Sequence, residues 1–407
     1  MSASQRIVNP MASGLPNTDC QAQNWAKKGQ LRGHGFFGLQ GEGLKRLTQV
    51  RSEPPPPSTS GLGHHPFKVA TRVRIPLGAL RCPNGISGHP AMRDTPPPPA
   101  ATVLVVSDHV VGGRERWDDL GRAVRALALQ QTAEPFDILV CDSERFRADM
   151  PPDFAELHPR LHVHFVPDYG SYAVKNAGVA FARTAFVALL DADCVPGTNR
   201  WLELLLVGIR SDPKIGAISG PTAYPGRSFL RRASGLLGRS YTNPGAHGPT
   251  QFIAINNCVF RRDAYLESPL PEGMGTFLSR IQSEAMAASG FTLLFDPTAS
   301  VFHDYEGLRM EADFRRNCGY GTIRTRLEDP SLPYAQLVRR GPVAIPFVLG
   351  GKLIGSWRDC IRCGRQYGVK GLGLPAAMFL SIPLHLAEVP GMLHAYRRTR
   401  LRDSAFR

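Results

Sequence analysis

The stretch SYAVKNAGVAFARTAFVALLDADCVP, residues 171–196, joins two patterns that belong to different secondary structures. Residues 172–183 carry apolar side chains at helical spacing, which predicts a helix. Residues 185–190, AFVALL, form a short apolar run with the length of a buried strand. Asp191 and Asp193 follow directly, so the stretch predicts two carboxylates at the carboxyl end of a strand.

The same alternation of strand and helix continues towards the N-terminus of this stretch. Alternation of this kind favours parallel strands with helices on both faces, which is an α/β fold. Ligands of such sheets bind at the carboxyl ends of the strands, where Asp142 and the Asp191/Asp193 pair are expected. The predicted elements are strands at 102–107, 136–141 and 161–166 and a helix at 116–131.

The acidic pair has two physical interpretations. Two carboxylates one residue apart can offer oxygen ligands to Mg²⁺ or Mn²⁺. Such an ion can bridge to a diphosphate and neutralise its charge as it departs. The alternative is a turn that caps the following helix, helped by Pro196 and Gly197. The residues alone leave both interpretations open.

Residues 171–196 as a whole resemble the signature of glycosyltransferase family 2. That signature is a helix with the motif R-N-x-G-x-x-x-A, then a strand, and then L-D-x-D followed by proline. The resemblance extends over about residues 101–325. It implies the GT-A fold, with a mostly parallel sheet, and transfer of a sugar from a nucleotide diphosphate donor, usually with inversion. The expected partners are this donor and a glycan or lipid-linked acceptor.

The resemblance also implies roles for individual residues on the donor side. Asp142 matches the acidic residue that contacts the base of the donor. Asp191 and Asp193 match the pair that meets ribose, metal and diphosphate. Lys175 and Asn176 occupy the Arg-Asn part of the helix motif and are assigned to the donor. Lysine keeps the charge of arginine but lacks its planar fork for phosphate.

A histidine completes the predicted metal site. His303 ends the motif P-x-x-x-V-x-H within residues 291–303, and the corresponding histidine of similar enzymes lies near the metal or diphosphate. His303 is therefore expected to bind the metal together with Asp191 and Asp193. The alternative for His303 is a structural hydrogen bond at the end of a strand.

The acceptor side departs from the family pattern. Inverting members carry a Glu-Asp pair at the start of a helix that ends in glycine, and one carboxylate takes the proton of the acceptor hydroxyl. Here that helix is SRIQSEAMAASG, 279–290, and its one acid is Glu284. Glu272 is the competing candidate for the general base. The missing pair leaves open an alternative function, a catalytically inactive GT-A module that serves as a membrane-anchored scaffold.

The distribution of charge separates the core of the chain from its ends. Of the 407 residues, 48 are Lys or Arg and 34 are Asp or Glu, a formal net charge of +14. Residues 1–100 carry +8, residues 337–407 carry +9, and residues 101–336 carry −3. A nearly neutral core argues against nucleic acid as a partner. The spread of the eight cysteines excludes a disulfide framework and favours a reducing compartment.

Both ends look different from the predicted GT-A domain at 98–325. Residues 1–97 are rich in Pro and Gly without periodicity, which predicts a disordered leader. One hypothesis places the native start near Met92, and the alternative is a genuine flexible leader.

Residues 326–407 contain the apolar stretches 342–355 and 372–393, both flanked by arginines. This pattern predicts a membrane-associated helical tail on the cytoplasmic face of the inner or plasma membrane, either peripheral or single-pass. A helical pair packed on the core is the alternative.

Overall fold

The computed structural model describes a large C-terminal part of the chain. By internal contacts the chain divides into two units, Met1–Gly88 and His89–Arg407, and the described residues lie in the second. The predicted leader lies outside the described residues apart from Pro97. The described residues are 97–107, 114–167, 171–271, 278–305 and 307–397.

The strands of the described residues form two sheets. In chain order they are β1 (Ala101–Val106), β2 (Phe136–Ser143), β3 (Leu161–Val166), β4 (Phe186–Asp191), β5 (Cys194–Pro196), β6 (Ile215–Ser219), β7 (Thr222–Ala223), β8 (Gly248–Pro249), β9 (Asn257–Arg261), β10 (Thr292–Phe295) and β11 (Val301–His303).

The helices lie between these strands and after them. In chain order they are α1 (Arg114–Ala128), α2 (Ser171–Phe181), α3 (Trp201–Arg210), α4 (Phe229–Arg239), α5 (Arg262–Glu267), α6 (Leu278–Ala288), α7 (Leu308–Glu328), α8 (Ala335–Val338), α9 (Ile345–Cys363), α10 (Gly373–Leu386) and α11 (Val389–Arg397).

The large sheet has the strand order β3-β2-β1-β4-β9-β6-β10-β8. β1 pairs in parallel with both β2 and β4, so Val106 lies opposite Cys141 on one side and Asp191 on the other. β9 runs antiparallel to β4 and β6. All six residues of β1 are buried, as its apolar sequence predicts. The expected α/β fold with a mostly parallel sheet is confirmed.

Packing explains why the helix motif has a glycine at Gly178. A Cβ atom on Gly178 would lie 2.6 Å from Cδ1 of Leu104, so only glycine lets α2 approach β1 this closely. The predicted helix at 172–183 and strand at 185–190 are both present, with ends that differ by one or two residues.

The small sheet has the order β5-β11-β7. Its strand β5 is the end of the segment 171–196, which resembles the family signature. Its antiparallel pairing places His303 opposite Cys194. The buried side chain of Asn257 ties this sheet to the large one: its amide donates hydrogen bonds to the carbonyl oxygens of Pro221 (3.0 Å) and Ala299 (2.9 Å). Its amide oxygen accepts a hydrogen bond of 2.7 Å from the indole of Trp201.

The C-terminal helices pack tightly on α7, which itself crosses the predicted boundary at residue 325. A Cβ atom on Gly391 of α11 would lie 1.8 Å from the carbonyl oxygen of Arg316. A Cβ atom on Gly319 of α7 would lie 2.0 Å from the carbonyl oxygen of Glu388. Backbone therefore meets backbone where the two helices cross, and the glycines make this contact possible.

One helical stretch of the described residues, Gly373–Arg397, is long and apolar enough to cross a membrane by length and composition. Its mean hydropathy is 1.4, and 39% of its most apolar window is buried within the protein. α10 ends at Leu386 and α11 begins at Val389, with the fully buried Glu388 between them. The predicted apolar tail helices are thus present, and their association with a membrane stays a prediction.

The glycine contact between α7 and α11 yields a stability prediction. We expect Gly391→Ala to lower the free energy of unfolding by about 1–3 kcal/mol, because the added methyl group forces the helices apart. Gly350→Ala in α9 is the control, since a Cβ atom there would meet no other atom within 4 Å. Alanine there gains up to about 1 kcal/mol of helix propensity. Urea unfolding of both variants tests this prediction. A Gly391→Ala midpoint equal to that of the unsubstituted protein contradicts it.

Candidate active site

A cleft opens at the carboxyl ends of the central strands, beside the small sheet. Asp191 ends β4, and Asp193 precedes β5 by one residue. The pairing of β5 with β11 brings His303 to the same place from more than a hundred residues further along the chain. Charged and polar side chains that line the cleft include Lys175, Asp191, Asp193, Arg239, His303 and Glu311.

Asp193 and His303 face each other in this cleft. Nε2 of His303 lies 3.2 Å from Oδ2 of Asp193, and both side chains are largely buried. Nδ1 of His303 lies 2.7 Å from the carbonyl oxygen of Asp304, which can only accept, so Nδ1 carries the proton in the neutral ring. Nε2 then presents a lone pair towards a carboxylate oxygen. A cation between the two atoms satisfies both of them.

Cys194 completes a cluster of three possible ligand atoms, with Asp193 and His303, that lie within 4.8 Å of one another. Burial raises the pKa of the Cys194 thiol well above its usual range, and the nearby Asp193 acts in the same direction. Its sulfur also accepts a hydrogen bond of 3.5 Å from the amide of Asn256. At neutral pH Cys194 is therefore a protonated thiol, and Asp193 and His303 are the two residues of this cluster that could hold a divalent ion.

Asp191 has a different neighbour from Asp193. Nζ of Lys175 lies 2.7 Å from Oδ1 of Asp191, and the lysine side chain is only 1% exposed. The structure therefore brings the predicted donor residues Lys175 and Asp191 together as an ion pair on the floor of the cleft. Asp191 lies outside the three-residue cluster around His303, so its role as a metal ligand stays a prediction.

Asn176 is hydrogen-bonded to α5 and to the segment that follows it. Its amide oxygen accepts hydrogen bonds from the Tyr265 hydroxyl (2.9 Å) and the Leu270 amide (3.1 Å). Its amide nitrogen donates to the carbonyl oxygen of Leu270 at 2.9 Å. Asn176 is not among the described residues that line the cleft, and these bonds hold the segment that leads to Glu272. Glu272 itself lies outside the described residues.

Asp142 is held by an arginine that the sequence reading did not single out. Nε of Arg116 donates a hydrogen bond of 2.6 Å to Oδ2 of Asp142, and Nη2 contacts the other carboxylate oxygen. Asp142 is 1% exposed and Arg116 is 4% exposed. Asp142 is not among the described residues that line the cleft, and its contact with the donor's base stays a prediction.

The structure does not bring Glu284 together with the donor residues. Glu284 is exposed on α6, forms an ion pair of 2.7 Å with Arg280, and borders a separate hollow beside Phe252. Ser279, near the start of α6, is the residue of this helix that lines the cleft. The start of α6, where the family resemblance implies an acidic pair, therefore reaches the cleft with a serine.

Two cleft residues, Arg239 and Glu311, were missed by the sequence reading. Arg239 ends α4, and its guanidinium lies 5.8 Å from the ring centroid of Tyr224 and 5.6 Å from that of Phe314. Glu311, in the first turn of α7, accepts a hydrogen bond of 2.8 Å from Arg315. Neither position follows a strand end or a recognisable motif, so no local signal marks them.

A known protein family matches the part of the chain that carries Asp191 and Asp193. Residues 113–268 match the model of the family described as glycosyl transferase family 2. No curated protein matches the chain significantly. Among solved structures, the mannosyltransferase PcManGT from Pyrobaculum calidifontis in complex with GDP-Man and Mn²⁺ is 14% identical. That match covers 74% of this chain and 86% of the other, with a TM-score of 0.43.

The mostly parallel sheet and the family match assign the segment 113–268 to the glycosyltransferases. This segment belongs to glycosyl transferase family 2, as the signature at 171–196 led us to expect.

The ion pair on the cleft floor is testable by stability. Lys175→Met leaves the buried Asp191 carboxylate without its lysine partner, and we expect a loss of about 3–5 kcal/mol in the free energy of unfolding. Adding Asp191→Asn should recover part of this loss, because the uncompensated charge is removed. Lys214→Met, at an exposed lysine, is the matched control. If Lys175→Met unfolds at the same urea concentration as Lys214→Met, the ion pair contributes nothing to stability.

Proposed function

We propose that the cleft binds a nucleotide sugar with a divalent metal ion and transfers the sugar, with inversion, to a glycan or lipid-linked acceptor. The observation that carries this proposal is the facing pair Asp193 and His303 at the carboxyl end of β4. Two lone-pair donors 3.2 Å apart in a largely buried site favour a bound cation. A diphosphate is the anionic partner such a cation takes in glycosyl transfer.

The donor set distinguishes between candidate metals. Mg²⁺ strongly prefers oxygen ligands, whereas an imidazole beside a carboxylate also suits softer ions. Asp193 and His303 therefore favour Mn²⁺ over Mg²⁺ as the cofactor. When bound, the ion supplies positive charge that neutralises the departing nucleoside diphosphate.

The protein's own residues provide the rest of the donor site. Arg239 places a second positive charge in the cleft, where it can stabilise negative charge on the diphosphate oxygens. Lys175 holds Asp191 in an ion pair of 2.7 Å, which orients that carboxylate for a ribose hydroxyl. Of the two predicted candidates for the general base we now favour Glu272, because Glu284 pairs with Arg280 and does not line the described cleft.

The donor site is testable by ligand-induced stability. We expect Mn²⁺ together with one of UDP, GDP and dTDP to stabilise the full chain, by about 2.7 kcal/mol at a hundredfold excess over the dissociation constant. Asp193→Ala and His303→Ala should abolish the metal-dependent part of this shift. Asp263→Ala, at an exposed carboxylate on α5, should leave it unchanged. A thermal-shift series that finds no stabilisation with any nucleotide overturns the proposed function.

We also propose that the tail lies on an anionic membrane surface as a peripheral element. Phe347, Ile354 and Ile361 recur at seven-residue spacing on α9 and are 56%, 61% and 71% exposed. Leu372 and Phe379, at the start of α10 and within it, are 89% and 73% exposed. Side chains of this kind favour the boundary between headgroups and acyl chains. Exposed basic residues accompany them: Arg339, Arg340, Arg358, Arg365 and Lys370.

Vesicle sedimentation tests the membrane proposal. The double variant Ile354→Asp/Ile361→Asp should reduce binding to phosphatidylglycerol vesicles about tenfold or more, because two exposed apolar side chains become charged. Val207→Asp is the control, since Val207 is 60% exposed on α3, away from the tail. Equal sedimentation of the double variant and the control contradicts a role for this apolar face.

A further inference from the structure

A second pocket adjoins the cleft, and the C-terminal helices form one side of it. We call it the C-terminal pocket. It shares Tyr241, Ser279 and Phe314 with the cleft, so the two spaces have a common wall. Phe252 adds another aromatic ring. The polar groups Ser356 of α9, His385 of α10 and Glu388, which follows α10, line another part of the wall. The segment that the sequence predicts to be a membrane-associated tail therefore forms part of a pocket beside the proposed donor site.

Three of these polar groups form a hydrogen-bonded relay. Nδ1 of His385 lies 2.9 Å from Oε1 of Glu388, and Nε2 of His385 lies 2.8 Å from Oγ of Ser356. Burial raises the pKa of Glu388, but Lys352 and the hydrogen bond to His385 outweigh it and lower this pKa to about 2. Burial lowers the pKa of His385, more than Glu388 raises it. At neutral pH the relay therefore contains a carboxylate and a neutral imidazole.

These protonation states determine which way the serine hydroxyl points. The Glu388 carboxylate can only accept, so Nδ1 of His385 donates to it. The remaining ring nitrogen, Nε2, must accept, so Ser356 donates its proton to His385. The oxygen of Ser356 is left with lone pairs on the side of the pocket. An occupant that donates a hydroxyl hydrogen is favoured there, whereas the acceptor-only oxygens of a phosphate are not.

The charges of the pocket are balanced by their own partners. A balanced set offers no net attraction to an anionic ligand, which again favours a neutral occupant. The aromatic walls with a few fixed polar groups are typical of sites for small organic ligands. The pairs are Lys352 with Glu388 (2.5 Å), Arg280 with Glu284 (2.7 Å), Arg315 with Glu311 (2.8 Å) and Asp359 with Arg362 (2.9 Å).

The geometry points to the C-terminal pocket as the acceptor subsite, occupied by a neutral sugar residue whose hydroxyl donates a hydrogen bond to Ser356. This inference rests on the proposed function, since it assigns the acceptor of that same transfer. It makes Ser356 a binding residue for the acceptor, with His385 and Glu388 as positioning residues. A lipid phosphate as the direct acceptor is the competing outcome.

The test uses the full chain with the nucleotide sugars of whichever nucleotide stabilises it. The acceptor probes are the octyl glycosides of glucose, galactose, mannose and N-acetylglucosamine, with farnesyl phosphate as the anionic probe. We expect transfer to at least one octyl glycoside. Ser356→Ala should raise the acceptor KM about tenfold with a smaller effect on kcat, as expected for one lost hydrogen bond.

Ser381→Ala is the matched control, because Ser381 is buried in the same helical unit and donates to the carbonyl oxygen of Met378, outside both pockets. Both serine variants should keep the nucleotide-induced thermal shift. An unchanged acceptor KM in Ser356→Ala overturns the inference. Transfer to farnesyl phosphate alone, or to no probe while the nucleotide still binds, also overturns it. Absence of any nucleotide binding is a different result, which counts against the proposed function itself.

Discussion

The antiparallel pairing of β5 with β11 is the constraint on which the site depends. Each strand has only three residues, yet their register places His303 opposite Cys194 and its ring beside Asp193. A shift of one residue would turn His303 to the other face of the small sheet. The facing carboxylate and imidazole, and with them the proposed metal site, exist only in this register.

Strands this short need support from outside the small sheet. The buried Asn257 provides it, since its amide bonds to the carbonyl oxygens on both sides of the sheet junction, at Pro221 and Ala299. Gly220 allows the same approach, because a Cβ atom there would lie 1.8 Å from the Ala299 carbonyl oxygen. The chemistry of the cleft therefore rests on backbone contacts made at a distance from the reacting groups.

The C-terminal helices join the same arrangement from the other side. Glu388 is fully buried and pairs with Lys352 of α9, while it lies 3.7 Å from Arg315 of α7. Unpaired charge at such depth is costly, so these contacts hold the helices against the domain. The helices that these contacts hold in place also line the C-terminal pocket, and they leave an apolar face exposed on their opposite side.

The sequence by itself determined the α/β fold, the positions of the first four strands along the chain and the presence of Asp191 and Asp193 at a strand end. These features are local, because apolar runs and helical spacing are read within a few residues. Tertiary structure decided the rest. It placed Arg116 against Asp142, Arg239 in the cleft and Ser356 against His385, and it left Glu284 outside the cleft. No local pattern encodes these arrangements. The partners are selected by how helices pack and how strands pair across the chain, and this depends on the whole fold.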